Sequence, residues 1–229
     1  MARTQSLPNV VITLIVALGA LAAPVRAETQ VYTYAVEHPT FGRIGTYTNV
    51  IERSGDRTHV SSVLHTAVRI LGFVVYSQDA KRSEEWRRGR LISFRSVTTT
   101  DGKSLDVTGV ARGNTFVITT PAGTTVAPAD VRPSNPWTPA ILKAHVMMST
   151  KTGLIEDVQV TGGDETAATF DDTTRMLHRY LIDGHKRGVV WLDNHGVPIA
   201  FKVWEQGTPI ELVLISPAVP LAQTAMAPR

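Results

Sequence analysis

Seven histidines, five methionines and no cysteine bound the chemistry available to this chain of 229 residues. Lacking cysteine, the sequence can form no disulfide, thiolate zinc site, cysteine nucleophile or acylated lipoprotein cysteine. The histidines are His38, His59, His65, His145, His178, His185 and His195, and none stands in an H-E-x-x-H or other metal-ligand spacing. His59 and His65, six apart on an expected strand, would share a face yet sit about 20 Å apart. His185 and His195 lie beside glycines in turns. His145 with Met147 and Met148 offers soft ligands of the kind Cu(I) accepts. Methionines after a short helix more often fill gaps between apolar groups, and that is the role expected here. No metal and no cofactor is expected.

Hydrolytic chemistry needs a nucleophile, a base and an oxyanion hole. The chain has no G-x-S-x-G elbow and no S-x-x-K pair in a helical context. Ser61 and Ser62 with His65, or Ser134, could meet a carboxylate in space, so a hydrolase stays the third reading. Glu84 and Glu85 are adjacent and point to opposite sides of a strand, which spoils them as a dyad. The run Asp79-Ala80-Lys81-Arg82-Ser83-Glu84-Glu85 reads as a solvated strand edge. Gly42, Gly45, Gly162 and Gly163 precede no helix, so they read as turn or bulge glycines and not as a phosphate loop. Asp171-Asp172 reads as a polar turn, since its spacing does not suit calcium.

What must position such residues is a set of strands. Val, Ile and Thr make up about 30% of the chain, a composition suited to pleated, half-buried surfaces. Apolar and polar residues alternate through Val31–Val36, Ile44–Ile51 and Val74–Trp86, the period of antiparallel strands with one buried face. Turn signals separate the runs, among them Ser54-Gly55-Asp56, Arg88-Gly89, Asp101-Gly102, Gly113-Asn114, Asp183-Gly184 and Gln206-Gly207. The expected fold is all-β, a strongly curved antiparallel sheet of about ten to twelve strands forming a half-barrel or barrel meander. One segment breaks the pattern. From Pro121 to about residue 143 the prolines 121, 128, 133, 136 and 139 preclude a central strand, and Asn135 or Thr138 can cap a short helix through Ile141 and Leu142. This segment is expected to cross one face of the sheet as a lid. A fainter signal is an internal echo, Trp86…Gly89…Phe94 against Trp191…Gly196…Phe201, read as two hairpins of similar turn grammar or as a duplication.

Residues 1–27 read as a cleavable secretory leader. Arg3 precedes an apolar core over 10–23, and Val25-Arg26-Ala27 supplies the small residues that precede cleavage. The core is too short to span a bilayer comfortably. Cleavage after Ala27 would remove Arg3 and Arg26 and no acid, lowering the formal charge from +3 to +1. With no basic stripe, no nucleic-acid partner is expected. Residues 28–215 are expected to form one β domain, and residues 216–229 a patternless tail. An outer-membrane barrel fits poorly, because aromatics are only 7% and form no girdles at strand ends.

The stretch Tyr34-Ala35-Val36-Glu37-His38-Pro39 with Phe41-Gly42-Arg43-Ile44-Gly45-Thr46-Tyr47 resembles the opening of a family of exported Gram-negative proteins of unknown function. Pro133-Ser134-Asn135-Pro136-Trp137, Met147-Met148-Ser149-Thr150 with Gly153, and Trp191 with Gly196-Val197-Pro198-Ile199-Ala200-Phe201 carry the same resemblance. It covers about Tyr32 to Leu214 and implies a periplasmic protein with no assigned catalytic residues. The late hairpin motif is shared with a larger unknown-function family. That wider group is more loosely similar to the curved-sheet fold of periplasmic lipoprotein carriers, which implies a half-barrel with an apolar interior under a helical lid. The expectation is therefore a non-catalytic periplasmic protein that takes a lipid or other apolar molecule in the concave face. Trp137, Ile141, Leu142 and Met147 would form the lid or cavity. The alternative is an envelope scaffold with a packed core and a protein partner.

Overall fold

A computed structural model describes residues 27–170, 172–184 and 187–216. The leader and the tail expected from the sequence lie outside them, apart from Ala27 and Ser216.

Eight strands follow one another as hairpins: β1 (Glu28–His38), β2 (Gly42–Ser54), β3 (Arg57–Ile70), β4 (Phe73–Arg87), β5 (Arg90–Thr100), β6 (Lys103–Arg112), β7 (Thr115–Thr120) and β8 (Gly123–Pro128). An excursion then carries β9 (Arg132–Pro133), a 3-10 helix (Pro139–Lys143), β10 (Val146–Met148) and β11 (Ile155–Asp157). The chain returns through β12 (Gln159–Phe170), β13 (Thr173–Asp183), β14 (Gly188–Leu192), β15 (Pro198–Glu205) and β16 (Thr208–Ser216). Strand β16 pairs antiparallel with β1, so the two meanders fuse into one large curved sheet of 13 strands ordered β12-β13-β14-β15-β16-β1-β2-β3-β4-β5-β6-β7-β8. Among the described residues no ladder joins β8 to β12, and the sheet is open at those edges. The excursion forms its own small sheet, β11-β10-β9.

The strand count exceeds the ten to twelve expected, for two local reasons. Leu71-Gly72 makes a tight turn with both residues at positive φ (50° and 84°), and an apolar residue there carries no turn signal. The turns at Arg88-Gly89, Asp101-Gly102 and Gln206-Gly207 use the same geometry with a polar first residue. Residues 121–128 also differ from expectation. Pro121 and Ala122 make the β7–β8 turn, and Gly123–Pro128 is a strand. Pro128 is tolerated because β8 is an edge, where one side of the backbone needs no ladder donor. The excursion thus begins after Pro128. Thr138 caps the 3-10 helix, its hydroxyl accepting from the Ala140 N–H.

Alternation delivers Tyr32, Tyr34, Val36, Tyr47, Ile51 and Val60 to the concave side, where they pack with Phe116, Met148 and Phe201. Gly45 marks a tight crossing. A Cβ there would collide with the backbone carbonyl of His65 on β3, so Gly45→Ala is expected to cost about 1–3 kcal/mol, read as a lower denaturant midpoint at constant m. The two echoing hairpins differ in their turns. Trp86 pairs with Leu91 across a two-residue turn, whereas Trp191 pairs with Ala200 across a longer loop over residues 193–197.

Candidate functional site

The excursion is fastened to the concave face at one carboxyl group. Glu84 is fully buried on β4. Its Oε1 accepts from Asn135 Nδ2 (2.9 Å), and its Oε2 accepts from Trp86 Nε1 and Trp137 Nε1 (2.9 Å each). Tyr47 Oη donates to Asn135 Oδ1 at 2.7 Å, and Ser62 Oγ donates to Asn49 Oδ1 at 2.6 Å. The two indoles meet edge to face, with ring centres 5.9 Å apart, and the Arg132 guanidinium lies 5.0 Å from the Trp86 ring centre. Burial raises the Glu84 pKa above its ordinary value, against the opposing pull of its three donors and the charge of Arg82. Burial likewise pushes the Tyr34 and Tyr47 hydroxyls up.

This overturns the solvated-edge reading of the Asp79–Glu85 run. β4 lies between β3 and β5, and Glu84 faces inward. Its neighbour Glu85 faces outward and accepts a hydrogen bond from His59. Of its partners only Trp86 is local, while Asn135 and Trp137 stand 51 and 53 residues away.

Beside this anchor is a cavity of about 550 Å³ between the concave sheet and the excursion. Val36, Ile44, Leu64, Val68, Ile210 and Leu212 line it from the sheet; Ile141 and Met147 line it from the excursion. It reaches the end of the sheet that carries the β1–β2, β3–β4 and β15–β16 turns, where His38, Phe41, Val75, Tyr76 and Gln206 border it. Just beyond projects the tip of the β3–β4 hairpin, with Leu71 92% and Phe73 77% exposed. Of the four expected lid residues, Ile141 and Met147 stand on the cavity wall. Trp137 belongs to the Glu84 anchor, and Leu142 packs against the buried group of Ile141, Ala144 and Met147. Arg82, Tyr47 and Thr66 supply polar lining that sequence reasoning did not single out. Their signal was present in the inward register of β2, β3 and β4, but which face is inward depends on the neighbouring strands.

His185 lies outside the described residues, and among those described the histidines form no cluster with metal-binding geometry. His145 is exposed while Met147 and Met148 are buried, so these three do not converge. Among the described residues no group of three His, Asp or Glu side chains is placed to hold a metal. On the convex face His59 Nδ1 meets Glu85 Oε1 at 2.5 Å and His59 Nε2 meets Ser61 Oγ at 2.9 Å. This is a serine–histidine–carboxylate line, formed with Ser61 in place of the expected pairing with His65, which contacts Asp79 instead. Catalysis needs donors aimed at a developing oxyanion. Ser61 lies mid-strand between β2 and β4, its backbone committed to ladders on both sides.

A curved antiparallel sheet, open at its edges and crossed by a strap over an apolar hollow, defines a β-barrel-like class of protein. Residues 42–215 match the profile of a domain of unknown function, DUF6134, and the chain belongs to that family. Its fold is similar to that of a β-barrel-like protein of the DUF1849 domain of unknown function from Brucella abortus. The two share 11% identity, the match covers 86% of this chain and 99% of the other, and the TM-score is 0.57. A comparison with curated proteins found no match.

Proposed function

We propose that the chain is an exported, non-catalytic protein that binds an apolar or amphipathic molecule, such as an acyl chain, in the hollow beneath the excursion. The observation that carries this reading is the 550 Å³ cavity, which has an aliphatic wall and opens at one end of the sheet. Ligand pockets fall in this size range and combine a mainly apolar lining with a few placed polar groups. A packed scaffold would have closed that volume, since interiors fill to crystal-like density. The apolar leader core over residues 10–23 supports action in the periplasm.

Native mass spectrometry on protein isolated from periplasm without detergent tests the reading. A stoichiometric adduct that organic extraction releases is expected. A folded protein with a clean apo mass, which also fails to take up an added long-chain fatty alcohol, would overturn it. The alternative of an envelope interaction module draws on the exposed tip of the β3–β4 hairpin, where Ile70, Leu71, Phe73, Val74 and Val75 all face solvent.

A further inference from the structure

The sheet floor of the cavity carries a charge, Arg82, that an apolar ligand alone does not explain. Asn49, Ser62, Arg82 and Ser96 form one cross-strand row over β2, β3, β4 and β5, each directly opposite the next. Such neighbours are about 5 Å apart. The row holds two buried N–H donors without an acceptor, Asn49 Nδ2 and Arg82 Nε. The orientation of the Asn49 amide is set by its surroundings, because Ser62 Oγ at 2.6 Å and Asn135 Nδ2 at 3.4 Å both donate to its Oδ1. Asn49 is fully buried, and Arg82 lies on the cavity wall with its guanidinium 5.7 Å from the Tyr47 ring centre.

The acid on the same face of β4 feels the charge of Arg82 but gives its oxygens to other donors. Glu84, two residues along the same face, spends its oxygens on Asn135 and the two indoles. Other cations border the cavity in different circumstances. Lys202 is paired with Glu211, while Lys151 and Arg187 sit in loops and not on the sheet floor. A partly desolvated guanidinium is costly unless an anion meets it, and its planar fork suits a carboxylate.

We propose that the cavity's ligand is a long-chain amphiphile with a monoanionic carboxylate head, seated on the Arg82 guanidinium. This rests on the apolar-ligand reading above and adds the head group and its orientation, acid inward and chain along the aliphatic wall. One cation on the sheet floor without a hydrogen-bonded acid matches one negative charge.

The test compares a long-chain fatty acid with the alcohol of equal chain length, titrated into the full chain under alkaline conditions where the acid is ionised. The acid is expected to bind the wild-type protein about tenfold or more tightly than the alcohol, as a charge-assisted pair requires. Arg82→Met should erase that preference, so that acid and alcohol bind the variant within about twofold of each other. Equal binding of acid and alcohol by the wild type would overturn the proposal while leaving the apolar site standing, and this comparison needs no variant. A preference that survives in folded Arg82→Met would also overturn it. Binding of neither amphiphile would reject the cavity reading together with the proposal.

Discussion

Replacing Glu84 by Gln should destabilise the fold by about 3 kcal/mol in acid, the scale on which a buried, multiply hydrogen-bonded carboxyl group acts when its partners are orphaned. The Gln side chain keeps one acceptor and turns its amide N–H₂ toward donors. Either Asn135 Nδ2 or the paired indole N–H groups of Trp86 and Trp137 then lose their acceptor in a site closed to water. Denaturant unfolding reads the loss as a lower midpoint. Glu85→Gln, on the exposed side of the same strand, is the control and should stay within about 0.5 kcal/mol. The dependence on pH has a definite sign. Because the folded pKa of Glu84 is raised above its ordinary value of 4.5, its contribution is fully present below that value and is lost as pH rises through the folded pKa. The stability gap between wild type and Glu84→Gln should therefore be widest in acid and narrow toward alkaline pH. A gap that widens with rising pH would show that the three donors outweigh burial.

Leu64→Asp should lower the affinity for a long-chain fatty alcohol by at least about 100-fold while leaving the sheet folded. Leu64 is half-buried on β3, paired with Tyr47 on β2 and Ala80 on β4, and its side chain faces the cavity. Losing a leucine contact removes about 1.5–3 kcal/mol of apolar burial. Ligand entry would also strip water from a carboxylate that gains no partner, adding a further penalty. Together these exceed the roughly 2.7 kcal/mol that corresponds to two decades in affinity. In the ligand-free protein the new carboxylate stays wet in an open hollow, which is why folding survives. Leu154→Asp, on an exposed turn, should change neither quantity. Unaltered alcohol binding by folded Leu64→Asp would place the ligand elsewhere on the protein.

Membership of a family of unknown function and a shared β-barrel-like fold leave the activity to be argued from the site. In that site the excursion serves two purposes. Asn135 and Trp137 lock it to the sheet through Glu84, while Ile141 and Met147, a few residues on, form the opposing wall of the hollow. The lock and the wall are thus mechanically linked, and damage to Glu84 should loosen the cavity as well as the fold.

Most of the strands were legible in the amino-acid sequence, because strand formation follows short-range rules of alternation and turn chemistry. Period-two alternation marks Tyr32, Tyr34 and Val36 as one face, and glycine at positive φ marks turns such as Asp101-Gly102. The proline-rich break and the Thr138 cap were legible for the same reason. Where a local rule is broken, as at the apolar Leu71-Gly72 turn, the sequence is silent. Only the tertiary structure decided which of Glu84 and Glu85 is buried, that Trp137 is an anchor and not a cavity wall, and that Arg82 and Asn49 share a cross-strand row. Each of these depends on strands and loops distant in the chain, whose arrangement sets which side of β4 is the inside. Alternation tells two faces apart but does not say which one water leaves; the closing of the sheet under its strap makes that choice.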